Sequence, residues 1–255
     1  MASNFNVTTQ PRISVCLASY NGEKFIREQV ESILANLSQY DELIICDDVS
    51  TDSTYSIIQS IGDPRIKLIR NEKNIGHVKN FEKAISLAQG DLIFLSDQDD
   101  IWVKGKVKKV VEVFQRYDNI SLVYHNIEPV DVFGNDLKAN FPVYSEGKRN
   151  SWKFLIRQLI KPQIFGCGCC LSRNNIESLL PFPSSVYAHD HWIAVWAAIN
   201  GQVFFIEDKL VKYRQHENNL TPKKHRTISK ILISRINFAM QIIVAIYRRF
   251  SRSAK

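Results

Sequence analysis

The chain lacks the glycines from which common nucleotide-binding loops are built. After its first candidate strand it reads "ASYNGEKF", with a single glycine, so neither a G-x-G-x-x-G dinucleotide turn nor a G-x-x-x-x-G-K-[ST] phosphate loop is present. An ordinary NAD or ATP site is thereby excluded. Long apolar runs are also missing: in the C-terminal tail the longest, residues 242–246, falls far short of the roughly 20 residues that span a bilayer. The cysteines, Cys16, Cys46, Cys167, Cys169 and Cys170, show no paired C-x-x-C spacing and lie in apolar surroundings. They predict neither a zinc site nor a disulfide framework, but small buried hydrophobes in a reducing compartment. The opening "MASNFNVTTQPRISV" has no charged start followed by an apolar core, so no signal peptide is expected and a cytoplasmic location is.

What is present bounds the answer further. With 255 residues, 45% of them hydrophobic, the chain can bury one large core or two small ones, and the expectation is one compact domain with an appendage. The net charge of +7 suggests nucleic acid until its distribution is followed. Residues 218–255 hold nine Lys or Arg and no Asp or Glu, which leaves 24 of the 33 basic residues against all 26 acidic ones elsewhere. No nucleic-acid partner is expected. Within that tail, "TISKILISRINFAMQIIVAIYRRF" places Thr227, Lys230, Ser234, Asn237, Gln241, Arg248 and Arg249 close to helical period, with apolar residues opposite. Such a basic amphipathic helix, spanning 220–255, either lies on an anionic membrane surface or docks on the core or on a second subunit.

Ahead of the tail, strand and helix patterns alternate. "RISVCLASY" is followed by helical spacing over 23–37, "ELIICDD" by a helix over 52–61, "IKLIRN" by one over 78–88, and "DLIFLSD" by one over 103–117. Four such units with continuous apolar strands predict an α/β fold: a Rossmann-like, mostly parallel sheet with right-handed crossovers and helices on both faces. Ligands bind such sheets at the carboxyl ends of the strands. Those ends carry Ser19, Tyr20 and Asn21; Asp47 and Asp48; Arg70 and Asn71; and Asp97, Asp99 and Asp100.

Three aspartates within four positions, in "LIFLSDQDDIW", repel one another unless a cation or proton neutralises them. Asp-x-Asp offers hard oxygen ligands that suit Mg²⁺ or Mn²⁺, while one aspartate of the group can cap the next helix. Similar alternatives attend the other candidates. One of Asp47 and Asp48 can simply shape the turn before "VSTDST"; Asn80 faces either ligand or solvent; His216 in "RQHENN" can be plain loop. In "FGCGCCLSR", Gly166 and Gly168 are read as allowing close backbone approach. The segment 128–162, with "DVFGNDLKANFPVYSEGKRNSW", reads as a long polar loop with an uncertain hairpin, in the manner of a mobile lid.

In order along the chain, "ISVCLASYNGEKFIREQVESIL", "DELIICDDVSTDST", "NIGHVKNFEKAI", "GDLIFLSDQDDIW", "AHDHWIA" and "YRQHENN" resemble the inverting family 2 glycosyltransferases of the GT-A fold, and more narrowly bacterial rhamnosyltransferase-like members. The resemblance covers roughly residues 12–219 and implies one GT-A domain over 1–219, with a nucleotide-binding half at about 12–100 and an acceptor half at 101–219. It implies that Ser19 and Tyr20 border the nucleotide, that Asp48 or Asp47 accepts a hydrogen bond from a pyrimidine, and that Asn80, Asp97 and Arg214 complete the nucleotide-sugar set. Asp99, with Asp97 and His216, would hold the metal, Asp99 most directly. Asp190 aligns with the catalytic base, and Trp192 beside it would stack on a sugar face.

The implied activity moves a sugar, L-rhamnose from dTDP-L-rhamnose being the best match, to a saccharide acceptor in bacterial surface polysaccharide synthesis. The acceptor would be lipid-linked and the enzyme peripheral on the inner face of the plasma membrane; an oligomer is compatible with all of this. Two other classes keep the fold: a sugar nucleotidyltransferase, which would want a glycine-rich basic loop after the first strand, and a saccharide-binding protein without chemistry.

Overall fold

The computed structural model describes residues 10–137, 145–160, 164–217, 219 and 228–253. The opening segment, the middle of the 128–162 loop and the first part of the tail, with Thr227, therefore lie outside the described residues. Four strand and helix units open the chain: β1 (Ile13–Ser19) and α1 (Ile26–Leu34), β2 (Glu42–Asp47) and α2 (Thr54–Ile61), β3 (Ile66–Arg70) and α3 (His77–Leu87), then β4 (Leu92–Ser96), a short β5 (Ile101–Trp102) and α4 (Lys106–Arg116). The second half runs β6 (Ile120–Val130), β7 (Gly147–Arg149), α5 (Ser151–Ile160), β8 (Cys169–Ser172), α6 (Ile176–Leu179), α7 (His189–Asn200), β9 (Gln202–Arg214) and α8 (Ile228–Ser253).

The strands form one nine-stranded sheet in the order β3-β2-β1-β4-β8-β6-β9-β5, with β7 also on β9. β3, β2, β1 and β4 are parallel, as the apolar runs of β1, β2 and β4 predict, with the partly exposed β3 at the sheet's edge. Every residue of β2 and β4 is buried, so these strands have helices above and below. Beyond β4 the sheet changes character: β8 runs antiparallel to both β4 and β6, and β9 returns parallel to β6. The expected α/β layout is borne out, with this mixed second half added to it.

Two apolar clusters sandwich the sheet. One face is covered by α1, α2 and α4 through Ile26, Val30, Ile33, Ile58, Val110 and Phe114. The other is covered by α3, α5 and α7 through Phe81, Ala84, Phe154, Leu155, Trp192 and Trp196. α2 stops at Gly62, whose φ of 66° is a left-handed cap that side chains resist. Two expectations change. The 128–162 segment is not one loop, because Phe154, Leu155 and Gln158 turn "SWKFLIRQLI" into a helix with a buried face. The tail helix docks on the core: Phe238 and Ala245 of α8 are buried in the larger cluster, and Phe238 alone contributes roughly 1.5–3 kcal/mol. No helix among the described residues is long and apolar enough to cross a membrane.

Candidate active site

Strand register brings the predicted residues to one edge. Ser19 pairs with Asp47, and Asp47 with Arg70, so the carboxyl ends of β1, β2 and β3 stand level. Tyr20 is half exposed there, its backbone tied to Gln98 by the Tyr20 N–H donating at 2.8 Å and the Gln98 amide donating back at 3.0 Å. A Cβ on Gly22, the lone glycine of the loop, would lie 2.5 Å from the Gln98 side chain. The two aspartates after β2 are buried. Asp47 accepts from the Ser50 N–H at 3.1 Å and faces the Arg70 guanidinium at 3.5 Å. Asp48 accepts from Asn71 at 2.8 Å and from the Ile75 and Gly76 amides at 2.9 and 2.8 Å, which folds the start of α3 over the strand ends. Asn80 is buried with both ends of its amide engaged: it donates to the Cys46 carbonyl at 2.7 Å and accepts from Asn71 at 2.9 Å. The structure thus sets Asp47 and Asn80 in the floor of the edge, with Tyr20 on its surface.

After β4 the three aspartates separate by role. Asp97 and Asp100 point toward each other and toward Cys167, with their ligand atoms all within 4.8 Å. Burial first, then the neighbouring carboxylates, pushes Asp97 well above the ordinary carboxylate range and Asp100 up to about 7. One Asp100 oxygen accepts the Arg214 N–H at 3.1 Å, and the other is buried with no hydrogen-bond partner. Asp99 meets His216 Nε2 at 2.8 Å, with the His216 ring stacked on Phe25 at 5.1 Å. Asp99 and His216, both assigned to the metal, are thus hydrogen-bonded to each other, whereas the carboxylate that clusters with Asp97 is Asp100.

These residues fit a hard divalent cation. The carboxylate oxygens of Asp97 and Asp100 lie within 4.8 Å of each other, while the 2.8 Å between Asp99 and His216 is a hydrogen bond whose proton an ion would replace. The orphaned Asp100 oxygen and the crowded carboxylates give such an ion charge to neutralise. Cys167, whose sulfur lies with these carboxylates, is a soft ligand that a hard ion does not favour. A positive side chain also acts on Asp97 and Asp100, that of Lys106. It is fully buried, its Nζ donates to the Cys167 carbonyl at 2.8 Å and sits 3.8 Å over the Trp102 ring, and burial lowers it to about 8. The sequence reading passed over Lys106, although it continues the stripe of Val110 and Val113 on α4.

Asp190 stands in the first turn of α7, half-buried, after an N-cap at Ala188. It accepts its neighbour's amide, the His191 N–H, at 2.8 Å through one carboxylate oxygen. Its charge raises Asp97 and opposes the loss of protons by His77 and His189, which puts it among these three groups. His189 is buried, stacked on Phe81 at 3.9 Å, with neither ring nitrogen hydrogen-bonded, and burial lowers it to about 4. A Cβ on Gly166 would come 2.4 Å from its Nε2, so the reading of Gly166 as a close-approach glycine is borne out.

Two expectations are corrected here. Trp192 cannot stack on a sugar, because it is wholly buried with its indole N–H donated to the Leu179 carbonyl at 3.0 Å. Arg214 is 2% exposed and its guanidinium is consumed within the fold, donating to the Asp99 carbonyl at 2.9 Å, the Val132 carbonyl at 2.8 Å and Glu28 at 2.6 Å. It ties β9 to the acidic loop from behind.

Comparisons with known proteins agree with this architecture. The chain is 26% identical over 220 residues to the UDP-Glc:alpha-D-GlcNAc-diphosphoundecaprenol beta-1,3-glucosyltransferase WfgD of Escherichia coli, covering 86% of this chain and 83% of that relative. It is 26% identical over 232 residues to TuaG of Bacillus subtilis, a glycosyltransferase whose name assigns it provisionally to teichuronic acid biosynthesis, covering 87% and 86%. Its fold matches the crystal structure of S. aureus TarS residues 1–349 in complex with UDP-GlcNAc at a TM-score of 0.69 and 18% identity, over 94% of this chain and 73% of that one. The sequence model described as Glycosyl transferase family 2 matches residues 14–179, most of the chain, and the protein is a glycosyltransferase belonging to that family.

Proposed function

We propose that the protein transfers a hexose, with inversion, from a pyrimidine nucleoside diphosphate sugar to a hydroxyl of a lipid-linked saccharide in surface polysaccharide synthesis. The observation that carries this reading is that Asp190, at the start of α7, stands near enough to Asp97 to raise it electrostatically, while Asp97 itself clusters with Asp100. In this reading residues 12–100 hold the nucleotide and residues 101–219 the acceptor. Tyr20 and Asp48, beside Ser19, border the pyrimidine, while Asp47 and Asn80 hold the floor beneath it. Mg²⁺ or Mn²⁺ at Asp99, Asp97 and His216 would neutralise charge on the leaving diphosphate.

Asp190 supplies the remaining requirement. The acceptor O–H proton passes to its carboxylate as the acceptor oxygen bonds to the anomeric carbon and the bond to the diphosphate oxygen breaks. General-base assistance of this kind is worth about 10² to 10⁴ in rate, roughly 3 to 5 kcal/mol. The acceptor class is supported by the diphosphoundecaprenol in the name of the Escherichia coli relative. The donor class is supported by the uridine sugars in that name and in the TarS complex, which share a pyrimidine diphosphate with dTDP-L-rhamnose. A screen of dTDP-L-rhamnose, UDP-glucose, UDP-GlcNAc and a purine donor, GDP-mannose, against a lipid diphosphate saccharide, with Mn²⁺ or Mg²⁺, tests it. Transfer from one pyrimidine donor is the expected result; transfer only from purine donors would overturn the nucleotide assignment.

A further inference from the structure

Docking of α8 on the core leaves its other side uncovered. Ser234, Phe238, Gln241 and Ala245 face inward and are buried. Ile233, Ile236, Met240, Ile243, Tyr247 and Phe250, spaced three and four residues apart, form a single outward ridge, each residue 49 to 70% exposed. Between residues 236 and 247 the helix carries no charged residue at all. The neighbouring α5 repeats the pattern: Phe154, Leu155 and Gln158 point inward, while Trp152, Ile156 and Ile160 are 55 to 68% exposed. The two helices adjoin, since the Arg235 guanidinium donates to the Ile160 carbonyl at 2.6 Å. So many large apolar side chains exposed on two neighbouring helices are rare on a free monomer.

Charge selects what covers it. The chain from residue 218 to its end has nine basic and no acidic residues, and α5 adds exposed Lys153 and Arg157 with no acidic residue of its own. Two copies joined through this face would bring unbalanced positive charge together with no carboxylate on either helix to pair it. Anionic headgroups supply the missing charge, and Trp152 and Tyr247 combine an apolar body with a polar tip suited to headgroup depth. We propose that α5 and α8 together form a face that seats the enzyme on an anionic bilayer, its apolar residues entering the interface and the exposed Lys153 and Arg157 of α5 meeting the headgroups. The proposal deepens the reading of a lipid-linked acceptor, to which it would bring the site, but it stands on the surface chemistry of these two helices.

The test reads partition, not transfer, so its failure is separable from failure of the acceptor assignment. The full chain is sedimented with phosphatidylcholine vesicles, with and without phosphatidylglycerol, at low and high salt. Binding to the anionic vesicles that weakens with salt is expected, and Ile243→Glu on α8 or Ile156→Glu on α5 should each weaken it at least about tenfold, with circular dichroism and soluble donor hydrolysis unchanged. Ile243→Ser replaces any glutamate variant that fails to fold. Absence of binding to anionic vesicles, equal binding to neutral ones, or full binding by the variants would overturn the proposal. So would a concentration-dependent dimer that Ile243→Glu dissociates while no vesicle binding occurs, since the face would then belong to a second copy.

Discussion

Replacing Asp100 by asparagine should stabilise the metal-free protein at neutral pH. The side chain is 1% exposed, and burial together with Asp99 raises it from 3.8 to about 7. Asparagine keeps the oxygen that accepts the Arg214 N–H at 3.1 Å and removes the charge at the oxygen that has no partner. A carboxyl that is harder to ionise in the folded state costs stability as pH rises from its unfolded value to its folded one, and the cost is complete above the latter. About three units at 1.36 kcal/mol each set an upper limit near 4 kcal/mol. Asp97 and Asp99 share the repulsion, so roughly half of that, about 2 kcal/mol, is the expected gain, or a rise in Tm of roughly 4 to 8 °C. In thermal melts with chelator from pH 4 to pH 8, Asp100→Asn and the natural protein should melt together at pH 4 and diverge until about pH 7. A variant less stable than the natural protein at pH 8, or a gap that does not widen with pH, would refute the reasoning.

Three further outcomes follow from the same geometry. Mn²⁺ with a nucleoside diphosphate should raise Tm in the natural protein, and Asp99→Ala should remove most of that rise; an unchanged rise would place the ion elsewhere. Gly166→Ala puts a Cβ against the His189 ring and should cost about 1–3 kcal/mol in denaturant melts, with the additional cost largely absent when His189 is already alanine. Arg214→Lys should lose about 2–3 kcal/mol, because one ammonium cannot reach the Asp99 and Val132 carbonyls and Glu28 together; a Lys variant as stable as the original would show those bonds to be dispensable.

The first half of the fold was legible because parallel strands buried on both faces read as continuous apolar runs, and β1, β2 and β4 do so in "ISVCLAS", "ELIICD" and "LIFLS". The second half was not, since β5 has two residues and β8 four, and their pairing depends on distant chain. The acidic cluster announced itself by its crowding, but which of Asp97, Asp99 and Asp100 turns inward is decided by the turn after β4, a detail that residue order does not carry. Lys106 was passed over because lysines in "KGKVKKVV" look like a solvated face. Only its phase with Val110 and Val113 gives it away. Trp192 misled for the opposite reason: α7 buries ten of its twelve residues, so its sequence shows no face from which exposure can be read.

The central claim is that Asp190 takes the acceptor proton beside a carboxylate cluster that serves the departing diphosphate. It is tested most directly by release of nucleoside diphosphate from a pyrimidine nucleotide sugar, followed with acceptor and Mn²⁺ present, for the natural protein and for Asp190→Asn. Asp190 is half-buried and its carboxylate accepts the neighbouring His191 N–H at 2.8 Å, a bond the asparagine oxygen keeps, so the asparagine variant should fold and melt as the natural protein does. The account predicts release that falls at least about 100-fold in the variant with little change in the apparent KM for the donor. Release at full rate from Asp190→Asn would contradict it.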